Sequence, residues 1–136
     1  AALAGLRPIV DVATASFVFQ AWPQIVNEAA NARYMSGGQV AVPVVFHLLH
    51  GIRGGGAAQH SHSPQAMLWN CPGLEIVLPA SPADAKGLLL SAIRDPDPVI
   101  FMEPKRVYRA ARCSLTQART AFFFSAPRAA FQWSAT

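Results

Sequence analysis

Residues 75–103 read EIVLPASPADAKGLLLSAIRDPDPVIFME, and the fold turns on this stretch. The runs EIVLP and VIFME have the length and β-branched, apolar character of strands, without the alternation of a half-solvated sheet. Between them Ser81 offers an N-cap hydroxyl, Pro82 stands at the first helical position and Asp84 is an early acid. That grouping predicts a helix through PADAKGLLLSAIRD, stopped by the turn DPDP. A strand, a helix and a strand of these lengths specify parallel pairing through a crossover.

Upstream the same alternation continues. PIVDV, Pro8 to Val12, reads as a short strand, and VPVVFHLL as another. Trp22, Ile25, Val26, Ala29 and Ala30 lie between them at helical spacing, and Ser36-Gly37-Gly38 ends that helix. A glycine loop and a short helix through PQAMLWNC follow, and Gly73 breaks the chain before EIVLP. The expectation is an α/β domain, a parallel sheet flanked by helices, with its core over residues 3–104. Such sheets bind ligands at the carboxyl ends of their strands, where the glycine loop falls.

A chain of 136 residues, 52% hydrophobic with mean hydropathy +0.26, suits one domain with buried strands. No run approaches the roughly 18 apolar residues of a membrane helix, so no membrane partner is expected. Cys71 and Cys113 form no Cys-x-x-Cys pair, which argues against a disulfide framework or a zinc ribbon. AALAGLRPIV carries no secretory-signal pattern. All seven acidic residues lie at or before Glu103, whereas six of the eleven basic residues follow it. That basic stretch has no heptad, basic-helix or RNA-binding pattern, so no nucleic-acid partner is expected.

The loop GIRGGGAAQHSHSPQA, residues 51–66, matches neither the dinucleotide nor the Walker pattern, and the chain has no Gly-x-Ser-x-Gly elbow. Its glycines allow either a flexible connection or a close backbone approach. All four histidines lie between His47 and His62. They could ligate zinc or iron or serve as hydrogen-bonded structural groups, and a strand would put His47 and His50 on opposite faces. Phe17, Phe19 and Trp22 could be core, or could offer a ring face to a flat heterocycle.

Taken together, AGLRPIVDV, QIVNEAANARYMSGGQ, VPVVF, AAQHSHSPQA, CPGLEIV, DAKGLLLSAIRDPDPVIF and EPKRVYRAA resemble the beta subunit of thiamine-diphosphate-dependent 2-oxo acid dehydrogenases, of pyruvate or branched-chain type. The resemblance implies a transketolase-like pyrimidine-binding domain over residues 1–111, with 112–136 an atypical tail outside it. It implies thiamine diphosphate shared with an alpha subunit, which holds the diphosphate and magnesium; this chain has no Gly-Asp-Gly motif. Phe17 stands where the family stacks an aromatic on the aminopyrimidine, and His60 where it places its active-site histidine. The carbonyls of Ala92, Asp95 and Asp97 match a loop that holds potassium in some relatives.

The implied partners are the alpha subunit, in a hetero-oligomer, and a lipoyl-bearing acyltransferase. The implied location is the bacterial cytoplasm or, in a eukaryote, the mitochondrial matrix. Several positions depart from the pattern. The family's cofactor-activating glutamate falls before Ala1, His62 replaces a glutamine, Pro23 replaces an acid, and an arginine expected near His47 is absent. These departures lead to the expectation of a truncated or degenerate copy that does not catalyse alone. A noncatalytic subunit-pairing remnant and a histidine metal protein are the rival readings.

Overall fold

The computed structural model describes residues 1–52 and 54–106, and the backbone of 122–125. Four parallel strands form the sheet: β1 (Ile9–Thr14), β2 (Val45–His50), β3 (Glu75–Leu78) and β4 (Val99–Pro104), in the order β1-β2-β4-β3. A fifth strand, β5 (Phe122–Ser125), runs antiparallel along β3. It lies within the stretch expected to be an atypical tail; the rest of that tail lies outside the described residues.

β4 is central, and its sequence shows why. Val99, Ile100, Phe101 and Met102 are all at most 1% exposed because both faces of the strand are covered. Ile100 and Met102 join a core with Leu48, Ile76, Val18 and Ile25 on one face. Val99 and Phe101 join Val45, Val77, Leu88 and Ala92, the last two from helix α3, on the other. Burying each such side chain contributes about 1.5 to 3 kcal/mol. β1 is an edge strand and departs from the buried pattern: Ile9 and Val10 are exposed.

Three α-helices cross over the sheet: α1 (Ala32–Met35), α2 (Gln65–Trp69) and α3 (Pro82–Arg94). The cap of α3 is as expected. Ser81 Oγ accepts from the Asp84 backbone N–H at 3.2 Å and donates to Asp84 Oδ2 at 2.7 Å. At its other end Arg7 donates to the carbonyls of Ile93 and Asp95, both at 2.8 Å, placing a cation at the negative pole of the helix.

The stretch expected to be one helix around Trp22 is helical but irregular. A 3₁₀ segment, Ala15–Ala21, runs into a π turn, Pro23–Ala29, and then into α1. Pro23 has no N–H to give the first turn, and the backbone N–H of Ala30 reaches back five residues to Ile25. The widened turn leaves the carbonyls of Val26 and Asn27 to the Asn31 side-chain amide. Gly37 and Gly38 end α1 with positive φ, as the Ser-Gly-Gly signal requires. No helix among the described residues is long and apolar enough to cross a membrane.

Candidate functional site

The carboxyl ends of β1, β2 and β4 are neighbours, and each hands the chain to a segment that contributes to one cluster. From β1 the chain enters the 3₁₀ segment with Ala15 and Val18 fully buried, which turns Phe17 outward, 42% exposed. From β2 it enters the glycine loop and reaches a single 3₁₀ turn, Ala58–His60. There the imidazole of His60 meets Phe17 edge to face, with ring centroids 5.5 Å apart and planes at 86°. The two residues read from sequence as site residues are therefore brought together. His60 Nδ1 is buried and has no hydrogen-bond partner among the described residues.

A second pair lies alongside, two residues further on in each segment. Phe19 meets His62 at 5.9 Å and Trp22 at 6.2 Å. Phe19 is 40% exposed, so it is a surface ring as well as a packing partner.

Each segment includes a non-glycine residue with positive φ: Ala13, near the end of β1, at 60°, and Ala57, just before the 3₁₀ turn, at 50°. Such conformations cost of order 1 to 3 kcal/mol and persist only where their surroundings hold them. Around Ala13 the hold is visible. Its N–H donates to Asp11 Oδ1 at 2.8 Å across an irregularity in the β1 register. That bond, followed by the one to His47, keeps the Asp11 carboxyl below its ordinary pKa. Past Ala57, Ser61 Oγ donates to the Ala57 carbonyl at 2.7 Å.

From β4 comes Lys105, which sequence reading did not single out. Its ammonium donates to the His60 carbonyl at 2.6 Å, and its backbone N–H donates to the His50 carbonyl at 3.0 Å. His50 is half-buried, with Nδ1 3.3 Å from Ser63 Oγ. Burial, and then the charge of Lys105, push its pKa below the usual histidine value. Nothing local in the sequence signals this reach of 45 residues.

His47 has a different set of neighbours. Its Nδ1 is 3.4 Å from Asp11 Oδ1 and its Nε2 is 3.1 Å from Glu103 Oε2, on the face shared with Phe101. No acid is near His47 in sequence, but the parallel register places Asp11 directly opposite it and Glu103 one diagonal step away. The four histidines thus face different partners, and no group of three His, Cys, Asp or Glu among the described residues could hold a metal ion.

In the loop compared with a potassium site, the Ala92 carbonyl accepts the Asp95 N–H at 3.3 Å and the Asp95 carbonyl accepts Arg7. Asp97 is paired with Arg33 at 2.8 Å. Cys71 is buried, which raises its thiol pKa.

The cluster lies at the carboxyl ends of parallel strands, where open α/β sheets place their ligand sites. Residues 1–111 match the family model described as transketolase, pyrimidine binding domain, and the chain belongs to that family. It is 49% identical over 108 residues to the mitochondrial pyruvate dehydrogenase E1 component subunit beta of Pisum sativum, and 52% identical over 108 residues to the subunit beta of Rhizobium meliloti. Each match covers 79% of this chain, but only 30% and 24% of those relatives. The chain thus spans less than a third of their length. Among solved structures, a split-gene transketolase described as an inactive beta4 tetramer superposes with a TM-score of 0.61 at 19% identity, covering 76% of this chain and 31% of that one. That likeness supports the fold.

Proposed function

We propose that this domain is the pyrimidine-binding side of a thiamine diphosphate site in a beta-type subunit of a 2-oxo acid dehydrogenase, completed by an alpha-type subunit. The observation that carries the proposal is the meeting of Phe17 and His60 at the carboxyl ends of β1 and β2. The residues suit the group. Phe17 exposes a ring on which an aminopyrimidine can stack, and the buried His60 Nδ1, without a partner among the described residues, is a polar atom that a bound molecule can satisfy.

When bound, thiamine diphosphate supplies the nucleophilic carbon that attacks a 2-oxo acid. Phe17 then orients the ring of the cofactor, and the Phe17 and Phe19 surfaces restrict water beside it. His60 holds or gives up a proton at a ring nitrogen, work for which imidazole is matched near neutral pH. Magnesium and the diphosphate belong to the alpha-type partner in this reading. The potassium ion, if held by Ala92, Asp95 and Asp97, uses carbonyl lone pairs that Arg7 and the Asp95 N–H leave over. A lipoyl-bearing acyltransferase is the inferred acceptor. The bacterial cytoplasm or mitochondrial matrix is the inferred location, since the relatives include both kinds.

Co-expression with an alpha-type subunit tests the reading. The expected result is a co-purifying hetero-oligomer that binds thiamine diphosphate and decarboxylates a 2-oxo acid. A hetero-oligomer that never binds the cofactor would leave a subunit-pairing module in its place.

A further inference from the structure

We infer that Lys105 is a positioning residue for His60. Its ammonium holds the glycine loop by the His60 carbonyl, and this sets the imidazole against Phe17. The inference rests on the proposed role of His60.

The loop that delivers His60 is poorly able to place itself. Gly51, Gly54, Gly55 and Gly56 lie within it, with φ of 84° at Gly51 and 74° at Gly55, and a glycine-rich backbone has more freedom to lose than any other. Residues 57–59 are exposed, so packing restrains them little. The bonds from Ser61 N–H to the Ala58 carbonyl and from Ser61 Oγ to the Ala57 carbonyl shape the turn internally. Gly51 N–H to the His62 carbonyl, at 3.1 Å, closes the mouth of the loop. None of these three bonds ties His60 itself to a neighbouring strand.

Lys105 does. Its backbone follows β4 directly, and its N–H adds one rung to the β2–β4 ladder at the His50 carbonyl, so its Cα is fixed to the sheet. From that base the side chain crosses to the His60 carbonyl at 2.6 Å, partly buried. A bond with one charged partner is roughly twice as strong as a neutral one, and burial strengthens it further. The carbonyl belongs to the same residue as the ring, so displacing it displaces the imidazole. The depressed pKa of His50, caused in part by Lys105, agrees with an ammonium lodged between β2 and the loop.

The test compares Lys105→Met, which keeps the length of the stem and removes charge and donor, with Lys105→Arg, which keeps both. Proton NMR on the full chain, with labelled Phe and His, reads the cross-relaxation between the Phe17 and His60 rings. It is expected to be present in the parent chain, lost in Lys105→Met and retained in Lys105→Arg. Thermal melts of the three proteins should nearly coincide. In the assembly with an alpha-type subunit, Lys105→Met should lower kcat by roughly 10- to 100-fold, as misplacement of a catalytic group does, with KM and cofactor affinity held. Lys105→Arg should recover most of kcat.

Ring contact and kcat both preserved in Lys105→Met would overturn the inference, as would a fall in melting temperature that accounts for all the lost activity. His60→Gln with undiminished turnover would instead remove the catalytic reading of His60, while the NMR comparison still decides whether Lys105 positions its ring.

Discussion

The two walls of the candidate site are held in place by different forces. Behind Phe17 the 3₁₀ segment and the π turn after it are anchored by apolar burial: Ala15, Val18 and Ile25 are all 0% exposed. Behind His60 residues 57–59 are exposed, and polar bonds from Lys105, Gly51 and Ser61 hold the turn they lead into. Apolar packing is non-directional and carries no titrating group, whereas hydrogen bonds to charged groups are directional and are lost one at a time. The first wall can present a fixed surface. The second holds its imidazole by a few directional bonds.

The largest expected effect lies on the polar wall. In an assembled, cofactor-competent complex, His60→Ala should slow turnover by roughly 10² to 10⁴ with cofactor affinity nearly intact, as losing a positioned proton donor does. Steady-state kinetics with cofactor titration measures both quantities. Full turnover in that variant would make His60 a structural residue and erase the contrast between the walls.

On the packed wall, Leu48→Ala removes a fully buried side chain from the core it shares with Val18 and Ile25. It should cost about 2 to 5 kcal/mol in denaturant unfolding. A loss under about 1 kcal/mol would mean that this core does not hold the first wall. Phe17→Ala, which removes the exposed ring and leaves its buried neighbours, should weaken thiamine diphosphate binding by only about threefold to tenfold, with kcat less affected. Calorimetric titration decides it.

The smallest effect is the response of the polar wall to acid. The folded-state pKa of His50 lies below its ordinary value, first through burial and then through Lys105. Below about pH 6.5 the unfolded chain takes up a proton that the folded chain resists. The stabilisation from neutral His50 is therefore complete above that pH and lost as pH falls through the folded value. Thermal melts between pH 7.5 and 5 should show a decline that shrinks in Lys105→Met and largely disappears in His50→Gln. A decline unchanged in both variants would assign it to other groups.

Sequence went far for elements whose forces are local. The apolar runs at 75–78 and 99–103 are strands because they are buried on both faces, and Ser81 and Asp84 cap α3 through bonds spanning three residues, with Pro82 at its first position. The resemblance supplied Phe17 and His60, whose contact the structure places at the strand ends. What was illegible depends on register and tertiary reach. Asp11 and Glu103 flank His47 only because β1 and β4 pair with β2 in one particular register. Lys105 reaches His60 only because β4 ends beside the loop. The π turn at Pro23–Ala29 follows from a missing N–H and a side-chain amide, which a count of helical spacing does not weigh. The pairing of β5 with β3 likewise follows from no local pattern.

The row formed by Asp11, His47 and Glu103 also has a mechanical meaning. It crosses three adjacent parallel strands on one face of the sheet, so it braces them at right angles to the chain. A slip of β2 by one residue would carry the imidazole to the opposite face and break both contacts together. Sliding β1 or β4 along β2 would therefore strain side-chain bonds as well as the backbone ladder. The exposed edge, where β1 has little packing to resist such shear, is stiffened by a brace whose outer end is Asp11, the residue that also fixes the bend into the first wall.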